Sequence, residues 1–389
     1  MILFRASNVW EPYDEGKLAV TARRRRPAPP SGVSVSAPAA TARVLAFFAE
    51  RRELIGKALR AYLTDRRAEL GRVDALGAEA CGRLEHFALS GKMVRGGLVC
   101  YAASLAAPPP PSAVDAAAAM ELFQSGLLIH DDIMDRDARR RGGPSLHYQY
   151  AEMAARDGLR DTAHLGEALG ICAADIAFFL AFDVLATLEA DPSLKNRLVS
   201  LFARELSLVG AAQMMDMAAA ARTPEQTTDD TLRLYLYKTG RYTFSLPLLA
   251  GSLLGGIEQS RAVELERAGE LLGLLFQIKD DEIGLFGDER DTGKPVGGDI
   301  REGKKTIYHT VLARRATAEE LHRIHPLWGS PELGEREIRF ILDCMERRGV
   351  REEIAGLVDS LAARVREIAP EQRYPFLADL LAYSLERSS

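Results

Sequence analysis

Two carboxylates on one predicted helix face are the first residues in this sequence whose types and spacing could do chemistry. Asp131 and Asp135 lie four positions apart after the largely apolar stretch 123–129, so on a helix they project from one face, one turn apart. Carboxylates at that distance repel each other unless a cation lies between them. Mg²⁺ takes hard oxygen ligands and shares them with substrate phosphates. The pattern therefore predicts a magnesium site, with an acidic, solvated helix end as the alternative.

Arginines follow this acidic pair closely. Arg140 and Arg141 come immediately before a Gly-Gly-Pro turn signal. Guanidinium groups fit phosphate oxygens well because their donors form a planar fork. Carboxylates that hold a metal, beside cations that neutralise phosphate, are what a metal-diphosphate site needs. An internal salt-bridge cluster is the competing interpretation.

A second acidic pair, Asp280 and Asp281, also follows an apolar helical pattern. Two facing helices that carry such pairs could bracket a diphosphate with several metal ions between them. The downstream segment 293–306 is rich in glycine and lysine and contains Lys294 and Asp299. This composition predicts a flexible cover that closes over phosphate and excludes water, and an ordinary solvated loop is the alternative.

Two further groups of polar residues could bind anions. Lys92 and Arg95 lie three apart at the start of a predicted helix, where both could meet one anion. Lys238 and Thr239 lie within an apolar helical stretch, where a lysine needs a partner and a diphosphate would serve. A surface pair at the first position and a lysine that snorkels to solvent at the second are the alternatives.

Helices must position all of these residues. Beyond position 41, apolar residues recur at three- and four-residue spacing in six long segments: 45–69, 115–134, 168–188, 194–221, 259–278 and 335–348. Strand-like alternation is scarce, and alanine and leucine dominate. We therefore predict an all-α fold for residues 41–389. Residues 1–40 contain an arginine run and many prolines, which predict a disordered leader.

Composition narrows the partners and the compartment. A formal net charge of −5 gives no general reason to expect a nucleic acid partner. Asp175 and Asp183 interrupt the apolar stretch 168–188, so we expect a buried helix there and no membrane-spanning segment. The four cysteines are Cys81, Cys100, Cys172 and Cys344, and they form no CxxC pair. This argues against a zinc site or a disulfide framework and indicates a cytoplasmic protein.

These motifs, in this order, resemble those of trans-prenyl diphosphate synthases, most of all geranylgeranyl diphosphate synthases. The resemblance covers roughly residues 45–385. It rests on GKxxR at 91–95, DDxxD with RRGxPxxH at 131–147, a GQxxD-like element at 213–216, KT at 238–239, and FQxxDD with GKPxxxDIxxGKKT at 276–306. It implies an antiparallel helical bundle around a central cavity, usually a homodimer. Its activity would join an allylic diphosphate to isopentenyl diphosphate with two or three Mg²⁺ ions.

The resemblance also implies a role for each matching residue. The metal ligands would be Asp131, Asp135, Asp280 and Asp281, with Asp299 assisting. The allylic diphosphate would be held by Arg140, Lys238 and Lys294. Isopentenyl diphosphate would be held by Lys92, Arg95, Gln124 and Arg141. The catalytic residues would be Lys238, together with Thr239 and Gln277, which would face the cation formed in the reaction.

The chain departs from the family pattern at three glycines. Gly284 stands where the second DDxxD motif has its last Asp, and Gly96 replaces the usual Pro after Arg95. At the GQ element the glycine is displaced to Gly210, three positions before Gln213. These changes remove no residue with a named chemical role, so we expect catalysis to be retained.

Product length depends on what blocks the cavity below Asp131. In relatives, bulky aromatics four and five positions before the motif stop growth at fifteen carbons, whereas Leu127 and Gly126 stand there in this chain. We therefore predict an open passage at those positions, with Phe123 one turn deeper as its floor. This favours geranylgeranyl diphosphate, with farnesyl or twenty-five-carbon diphosphate as alternatives. Phe123 could also be an ordinary core residue.

Two other functions compete with this interpretation. A terpene cyclase of the same fold also uses an Asp-rich motif and Mg²⁺, but it binds one diphosphate, so the second basic set would lack a purpose. A regulatory subunit that has kept the fold normally loses an acidic motif, and both pairs are present here. A di-iron bundle would need paired Glu-x-x-His motifs, which the sequence lacks.

Overall fold

A computed structural model of the chain describes residues 37–219, 226–287, 296–330 and 333–387. Residues 1–36 of the predicted leader lie outside the described residues, and so does Lys294. The first helix begins at Ala37, so the last four residues assigned to the leader are helical. Disorder of the leader and the domain boundary therefore stay predictions.

Helices make up almost all of the described chain. Helices α1 to α4 span Ala37–Leu70, Ala75–Leu89, Val94–Ala103 and Ser112–Met134. Helices α5 to α7 span Leu146–Arg156, Thr162–Thr187 and Pro192–Ala219. Helices α8 and α9 span Thr228–Tyr235 and Leu246–Leu254, and a π-helix, Leu236–Ser245, joins them. Helices α10 to α13 span Gln259–Phe286, Gly298–Arg301, Ile307–Arg315 and Ala318–Ile324. Helices α14 to α16 span Glu335–Arg347, Val350–Ile368 and Pro375–Glu386.

The six helical segments predicted from apolar spacing all correspond to helices. The difference that matters for the site is at the end of α10, which continues from the predicted end at residue 278 to Phe286. The second acidic pair is therefore part of the helix and does not follow it. Burial of Leu285 on the last turn favours this continuation, because an apolar side chain there extends the buried face.

Helix α4 positions the first acidic motif. It packs against α6 on one side and α3 on the other. Residues 116–119 are four successive alanines, all buried, and their small side chains let the neighbouring helices approach closely. Helix α10, which carries the second motif, packs along the π-helix and against the C-terminal helices α15 and α16.

One hairpin interrupts the helices among the described residues. Strands β1 (Arg139–Arg140) and β2 (Gly143–Pro144) are antiparallel, and Arg139 is opposite Pro144. The two residues between them, Arg141 and Gly142, both have positive φ, at 52° and 80°. This is the conformation that two-residue type I′ hairpin loops require. The hairpin holds three consecutive arginines beside the end of α4.

Helices α6 and α7 are long and apolar enough to cross a membrane by length and composition alone. Their most apolar windows have mean hydropathies of 2.1 and 1.2, and 39% and 28% of those windows are buried. The prediction of a buried helix at 168–188 therefore describes one face of α6. The opposite face carries exposed apolar side chains, including Ile171 and Phe179.

Candidate active site

The first acidic motif lies against the lysine of the KT pair. Lys238 Nζ is 2.5 Å from Asp216 Oδ2 and 3.4 Å from Asp131 Oδ1. Gln213 on α7 donates to Asp131 Oδ1 at 3.0 Å. Burial, and next the charge of Asp131, raise the pKa of Asp135. Carboxylates that crowd in this way make a site to which a cation would be attracted.

The middle carboxylate of the first motif has a different environment. Asp132 is fully buried and accepts a hydrogen bond from Arg140 Nε at 2.6 Å. Burial raises the pKa of Asp132 to about 6, although the Arg140 guanidinium opposes this. Arg140 also lies 3.2 Å from Asp137 and 4.0 Å from Asp131. Asp132 therefore fixes Arg140 beside the two carboxylates that face the site.

The hairpin turn sends Arg141 in another direction, toward the GKxxR segment. Arg141 Nη1 donates to the carbonyl of Phe87 at 2.6 Å and to Ser90 Oγ at 3.1 Å. The guanidinium lies over the Phe87 ring, 5.0 Å from its centroid. A Cβ atom at Gly91 would lie 2.9 Å from Arg141 Nη2, so the glycine leaves room for this arginine. Arg141 thus reaches the segment that carries Lys92 and Arg95.

Two of the residues predicted for the second substrate contact the π-helix. Arg95 Nη2 donates to Thr243 Oγ1 at 2.7 Å, and its guanidinium lies 4.6 Å from the centroid of the Tyr242 ring. The Tyr242 hydroxyl donates to the side-chain oxygen of Gln124. Lys92 is exposed at the start of the segment that carries Arg95. The structure therefore links Arg95 and Gln124 through Tyr242.

Gly96 has a specific hydrogen bond that the usual proline could not make. Its backbone N–H donates at 2.8 Å to Glu121 Oε1, and a proline has no N–H to donate. Glu121 is buried, and burial raises the pKa of its carboxyl, opposed first by this hydrogen bond and then by Arg95 and Arg141. A Cβ atom at position 96 would lie 3.0 Å from the carbonyl of Ala117. The glycine that replaces the family's proline at position 96 thus provides the backbone donor for Glu121 on α4.

The π-helix links the first acidic motif to the second. Thr239 follows Lys238 directly, and its hydroxyl donates to Gln277 Oε1 on α10 at 3.0 Å. Gln277 Nε2 in turn donates to Asp281 Oδ1, one helical turn further along, at 3.0 Å. Lys238 contacts Asp131 of the first motif, and the next residue, Thr239, is linked through Gln277 to the second motif. The two motifs therefore border one site and are joined through consecutive residues of one helix.

The two carboxylates of the second pair point in different directions. The Asp280 side chain is 55% exposed and forms an ion pair with Arg387 at 3.2 Å. Asp281 is buried, and its other oxygen accepts from the hydroxyl of Tyr235. Burial raises the pKa of Asp281 to about 8. Both Asp281 oxygens are engaged inside the protein whereas Asp280 faces outward, so Asp280 is the better placed of the two, and the role of Asp281 as a metal ligand stays a prediction.

The segment after α10 brings further charge to the site. The Asp299 carboxylate lies against the backbone at Gly284, and Lys304 Nζ is 3.8 Å from Asp299. After burial and its partner Glu302, the charges of Asp299 and Asp135 both act on the pKa of Lys304, so carboxylates of this segment and of the first acidic motif act on the same lysine. The predicted role of Lys294 lies outside the described residues.

The predicted passage below Asp131 is not open at Gly126. A Cβ atom at Gly126 would lie 2.7 Å from Cε1 of Phe178, whose ring from α6 fills the space. Phe123 is fully buried and stacks on Phe202 with ring centroids 5.2 Å apart. Phe182 meets Phe123 edge to face at 4.8 Å. The space beside the small residue on α4 is thus taken by an aromatic residue on α6, which the α4 motif alone does not reveal, and the predicted chain-length roles stay predictions.

A family model described as polyprenyl synthetase matches residues 81–345 of the chain. The chain belongs to the polyprenyl synthetase family. It is a prenyl diphosphate synthase, and the predictions of family, prenyltransferase activity and all-α fold are confirmed.

Individual members of the family show how far the similarity extends. The short chain isoprenyl diphosphate synthase of Methanothermobacter thermautotrophicus is 30% identical over 262 residues, covering 67% of this chain and 74% of that protein. The geranylgeranyl diphosphate synthase of Saccharolobus solfataricus is 30% identical over 267 residues, covering 68% and 75%. The structure of the Corynebacterium glutamicum geranylgeranyl pyrophosphate synthase, complexed with isoprenyl diphosphate and magnesium, aligns with a TM-score of 0.79 at 27% identity, over 87% of this chain and 99% of that one.

The carboxylates of this polyprenyl synthetase do not form a complete metal cage by themselves. Among the described residues, no three Asp, Glu, His or Cys side chains are grouped closely enough to hold an ion. This fits Mg²⁺, which usually takes one or two carboxylates and completes its shell with water and substrate phosphates. Asp131 and Asp135 on one side and Asp280 on the other stay the predicted donors.

Sequence reasoning missed several residues that shape the site. Asp216 was noted in the GQxxD-like element without a role, and its pairing with Lys238 supplies one. Tyr242 and Thr243 follow the KT pair directly, and that adjacency was a usable signal. Phe178 and Arg387 had no signal, because their contacts join segments distant in sequence.

Proposed function

We propose that this prenyl diphosphate synthase condenses an allylic diphosphate with isopentenyl diphosphate in a magnesium-dependent reaction, with geranylgeranyl diphosphate as its main product. One observation carries the proposal: Lys238 contacts the first acidic motif while Thr239, the next residue, reaches Gln277 beside the second. A single helix segment therefore faces both groups of carboxylates, with cations on either side.

Asp131, Asp135 and Asp280 would hold two or three Mg²⁺ ions. Bound there, Mg²⁺ supplies positive charge that stabilises the leaving diphosphate. Asp299 would assist through its carboxylate, which the Gly284 backbone allows to approach α10. The Corynebacterium protein was crystallised with isoprenyl diphosphate and magnesium, which supports the same ligands for this chain.

The basic residues divide between the two substrates. Arg140, Lys238 and Lys294 would hold the allylic diphosphate, while Lys92, Arg95, Gln124 and Arg141 would hold isopentenyl diphosphate. Arg140 is already oriented by Asp132 and Arg95 by Thr243, so little ordering is needed when substrate binds. Two separate anion sites favour a condensing enzyme over a cyclase.

The reaction begins when the allylic C–O bond breaks and its electron pair leaves with the diphosphate. Arg140 and Lys238 stabilise the charge that develops on the leaving oxygens. The oxygen atoms of Thr239 and Gln277 face the allylic cation. The double bond of isopentenyl diphosphate supplies the electron pair of the new C–C bond, and the proton then lost passes to the released diphosphate. No protein side chain is assigned as the base.

Product length would be set by an aromatic barrier between α4, α6 and α7. Phe178 fills the gap beside Gly126, and Phe123 lies deeper with Phe182 and Phe202 around it. A passage closed at this depth by two layers of rings supports a short-chain product. Several relatives are named geranylgeranyl diphosphate synthases and others farnesyl diphosphate synthases, which frames the expected range.

The exposed apolar faces of α6 and α7 suit a homodimer. Phe179 is 71% exposed and Met214 is 75% exposed, and Ile171 and Met217 lie on the same two helices. On α7 the outward side beside Met214 carries small residues, including Gly210. Clustered apolar side chains on long helices are typical of a subunit interface.

A cytoplasmic location is part of the proposal. Cys81, Cys100 and Cys344 are free and buried, and Cys172 is free and exposed. Four unpaired thiols suit a reducing compartment.

One assay tests the proposed function. The purified protein is incubated with Mg²⁺, isopentenyl diphosphate and each allylic primer, and the products are sized by chromatography. Asp131→Ala should lower turnover by about 1,000-fold or more with the fold retained by circular dichroism. Asp359→Ala, which removes an exposed carboxylate on α15, serves as the control. Near-normal turnover of Asp131→Ala would refute its assignment.

A further inference from the structure

The π-helix and α10 run antiparallel along a series of short contacts. At one end, Ser245 Oγ donates to the carbonyl of Glu266 at 3.0 Å. In the middle, a Cβ atom at Gly273 would lie 2.2 Å from the Cα of Gly240, so the two backbones touch there. At the other end Thr239 reaches Gln277. Sliding or rotating the π-helix along α10 would therefore move Lys238 and Thr239 relative to the acidic motifs.

Arg241 lies inside this contact series and has three carboxylate partners. Its Nε and Nη2 donate to the two oxygens of Glu205 at 2.8 and 2.9 Å. Nη2 also donates to Glu266 at 2.7 Å, and Nη1 donates to Glu270. Glu266 and Glu270 are one turn apart on α10, whereas Glu205 is on α7. One guanidinium thus ties the π-helix to two different helices.

The burial of this cluster makes the geometry demanding. The Arg241 side chain is 14% exposed and that of Glu205 is 1% exposed. A buried ion pair is stable only when its remaining donors and acceptors are also satisfied, and the five N–H donors of a planar guanidinium can satisfy three carboxylates at fixed angles. A lysine at position 241 would keep the positive charge, but its single ammonium group could not hold α7 and α10 in the same geometry.

The π-helix needs such external support. Its i→i+5 hydrogen bonds are rare in proteins, occur mostly as single turns, and cluster at functional sites. Here the segment is ten residues long and carries Lys238 and Thr239 on one side of Arg241, with Tyr242 and Thr243 directly after it. Removing the support should let the segment relax toward α-helical spacing and turn these side chains away from their partners.

We propose that Arg241 is a positioning residue, which fixes the register of the π-helix on α10 and α7 so that Lys238 meets the diphosphate of the allylic substrate and Thr239 faces the allylic cation. This inference rests on the proposed function. Arg241 contacts carboxylates of the protein and no reacting atom, so it acts through its neighbours. Arg241→Lys separates position from charge, because the positive charge is retained while the fork is lost.

The experiment measures binding of inorganic diphosphate in the presence of Mg²⁺ by titration calorimetry, and steady-state kinetics alongside. For Arg241→Lys we expect the Kd for diphosphate to rise about tenfold with unchanged stoichiometry, and kcat to fall by at least about tenfold. The control is Arg373→Lys, which weakens a different contact between an arginine and a carboxylate of α10: Arg373 donates to Glu264 at 3.0 Å. It should leave both quantities unchanged.

A purely structural role would give a different result. Partial unfolding of Arg241→Lys would lower the stoichiometry of binding and leave Kd unchanged, and that outcome overturns the inference. If Arg241→Lys does not fold, Glu266→Ala replaces it, because Glu266 is 27% exposed and its loss leaves Arg241 two carboxylates. An unchanged Kd in that variant would equally overturn it. Failure of the wild-type protein to bind diphosphate or condense substrates would instead refute the proposed function.

Discussion

The Asp299 carboxylate occupies the space that a side chain at position 284 would need. A Cβ atom at Gly284 would lie 2.5 Å from Asp299 Oδ2 and 2.8 Å from Asp299 Oδ1. The second acidic motif lacks its third carboxylate at the position where the Asp299 carboxylate lies. The two features therefore depend on each other. The glycine is required because it admits Asp299 to the surface of α10, close to Asp280 and Asp281.

Restoring the family pattern at this position should damage the enzyme. In Gly284→Asp the new side chain must displace Asp299, and with it the segment that carries Lys304. We expect the Mg²⁺ concentration for half-maximal activity to rise by at least about fivefold and stability to fall by about 1–3 kcal/mol. A magnesium titration of the initial rate, together with thermal unfolding, measures both effects.

Gly356→Ala is the control for this substitution. A Cβ atom at Gly356 meets nothing within 4 Å, and the residue lies inside α15. It should therefore be neutral or stabilise by roughly 1 kcal/mol, because alanine favours the helix. The double variant Gly284→Asp with Asp299→Gly should recover part of the magnesium affinity. Normal behaviour of Gly284→Asp alone would contradict the steric argument.

Shortening the aromatic side chain on α6 should lengthen the product. Phe178→Ala opens the space beside Gly126 without altering any residue next to the diphosphate. We expect products at least five carbons longer than those of the wild type, at similar turnover, when reaction mixtures are resolved by chromatography. Phe178 also contacts His130, with ring centroids 5.4 Å apart, so a modest loss of stability should accompany the change.

Phe340→Ala is the matched control for product length. Phe340 is a partly buried aromatic residue on α14, where Arg323 lies over its ring. The same loss of volume there should leave the product distribution unchanged. An unaltered distribution in Phe178→Ala would mean that the barrier lies at Phe123 or deeper.

Stability should depend on pH through Glu121. Burial raises the pKa of this carboxyl in the folded protein above its ordinary value of 4.5. The folded state therefore binds the proton more tightly, and the stability this contributes is fully present below pH 4.5 and is lost as pH rises toward the folded pKa. Glu121→Gln removes this dependence while its amide oxygen still accepts from Gly96. Between pH 5 and 8, its Tm relative to wild type should increase.

Melting curves at several pH values in the absence of substrate check this expectation. Glu346→Gln, which alters a carboxyl that is 62% exposed, should leave the pH profile unchanged. If Glu121→Gln and the wild type lose stability in parallel as pH rises, the buried carboxyl is not the cause.

The exposed faces of α6 and α7 predict how the chain assembles. Phe179→Glu combined with Met214→Glu should convert a dimer to a monomer in sedimentation equilibrium, because two charges would be buried in an apolar contact. Val73→Glu replaces a residue that is 85% exposed between α1 and α2 and should have no such effect. A dimer that persists in the double variant would place the interface elsewhere.

The sequence alone determined the helices and the chemical groups of the site. The three- and four-residue spacing of apolar side chains predicted the six main helices, because helical periodicity is local. Carboxylate pairs and clustered cations predicted metal-diphosphate chemistry before any contact was known. Asp131 and Lys238 are brought together in the structure as those patterns implied.

Only the tertiary structure decided which member of each group faces the site. Adjacent carboxylates such as Asp280 and Asp281 are equivalent in sequence, and packing against Tyr235 turns one of them inward. The gap at Gly126 was visible in the sequence, whereas the Phe178 ring that fills it comes from another helix. Periodicity fixes which side chains share a face, but the neighbour that a face meets depends on contacts between distant segments, which no local pattern encodes.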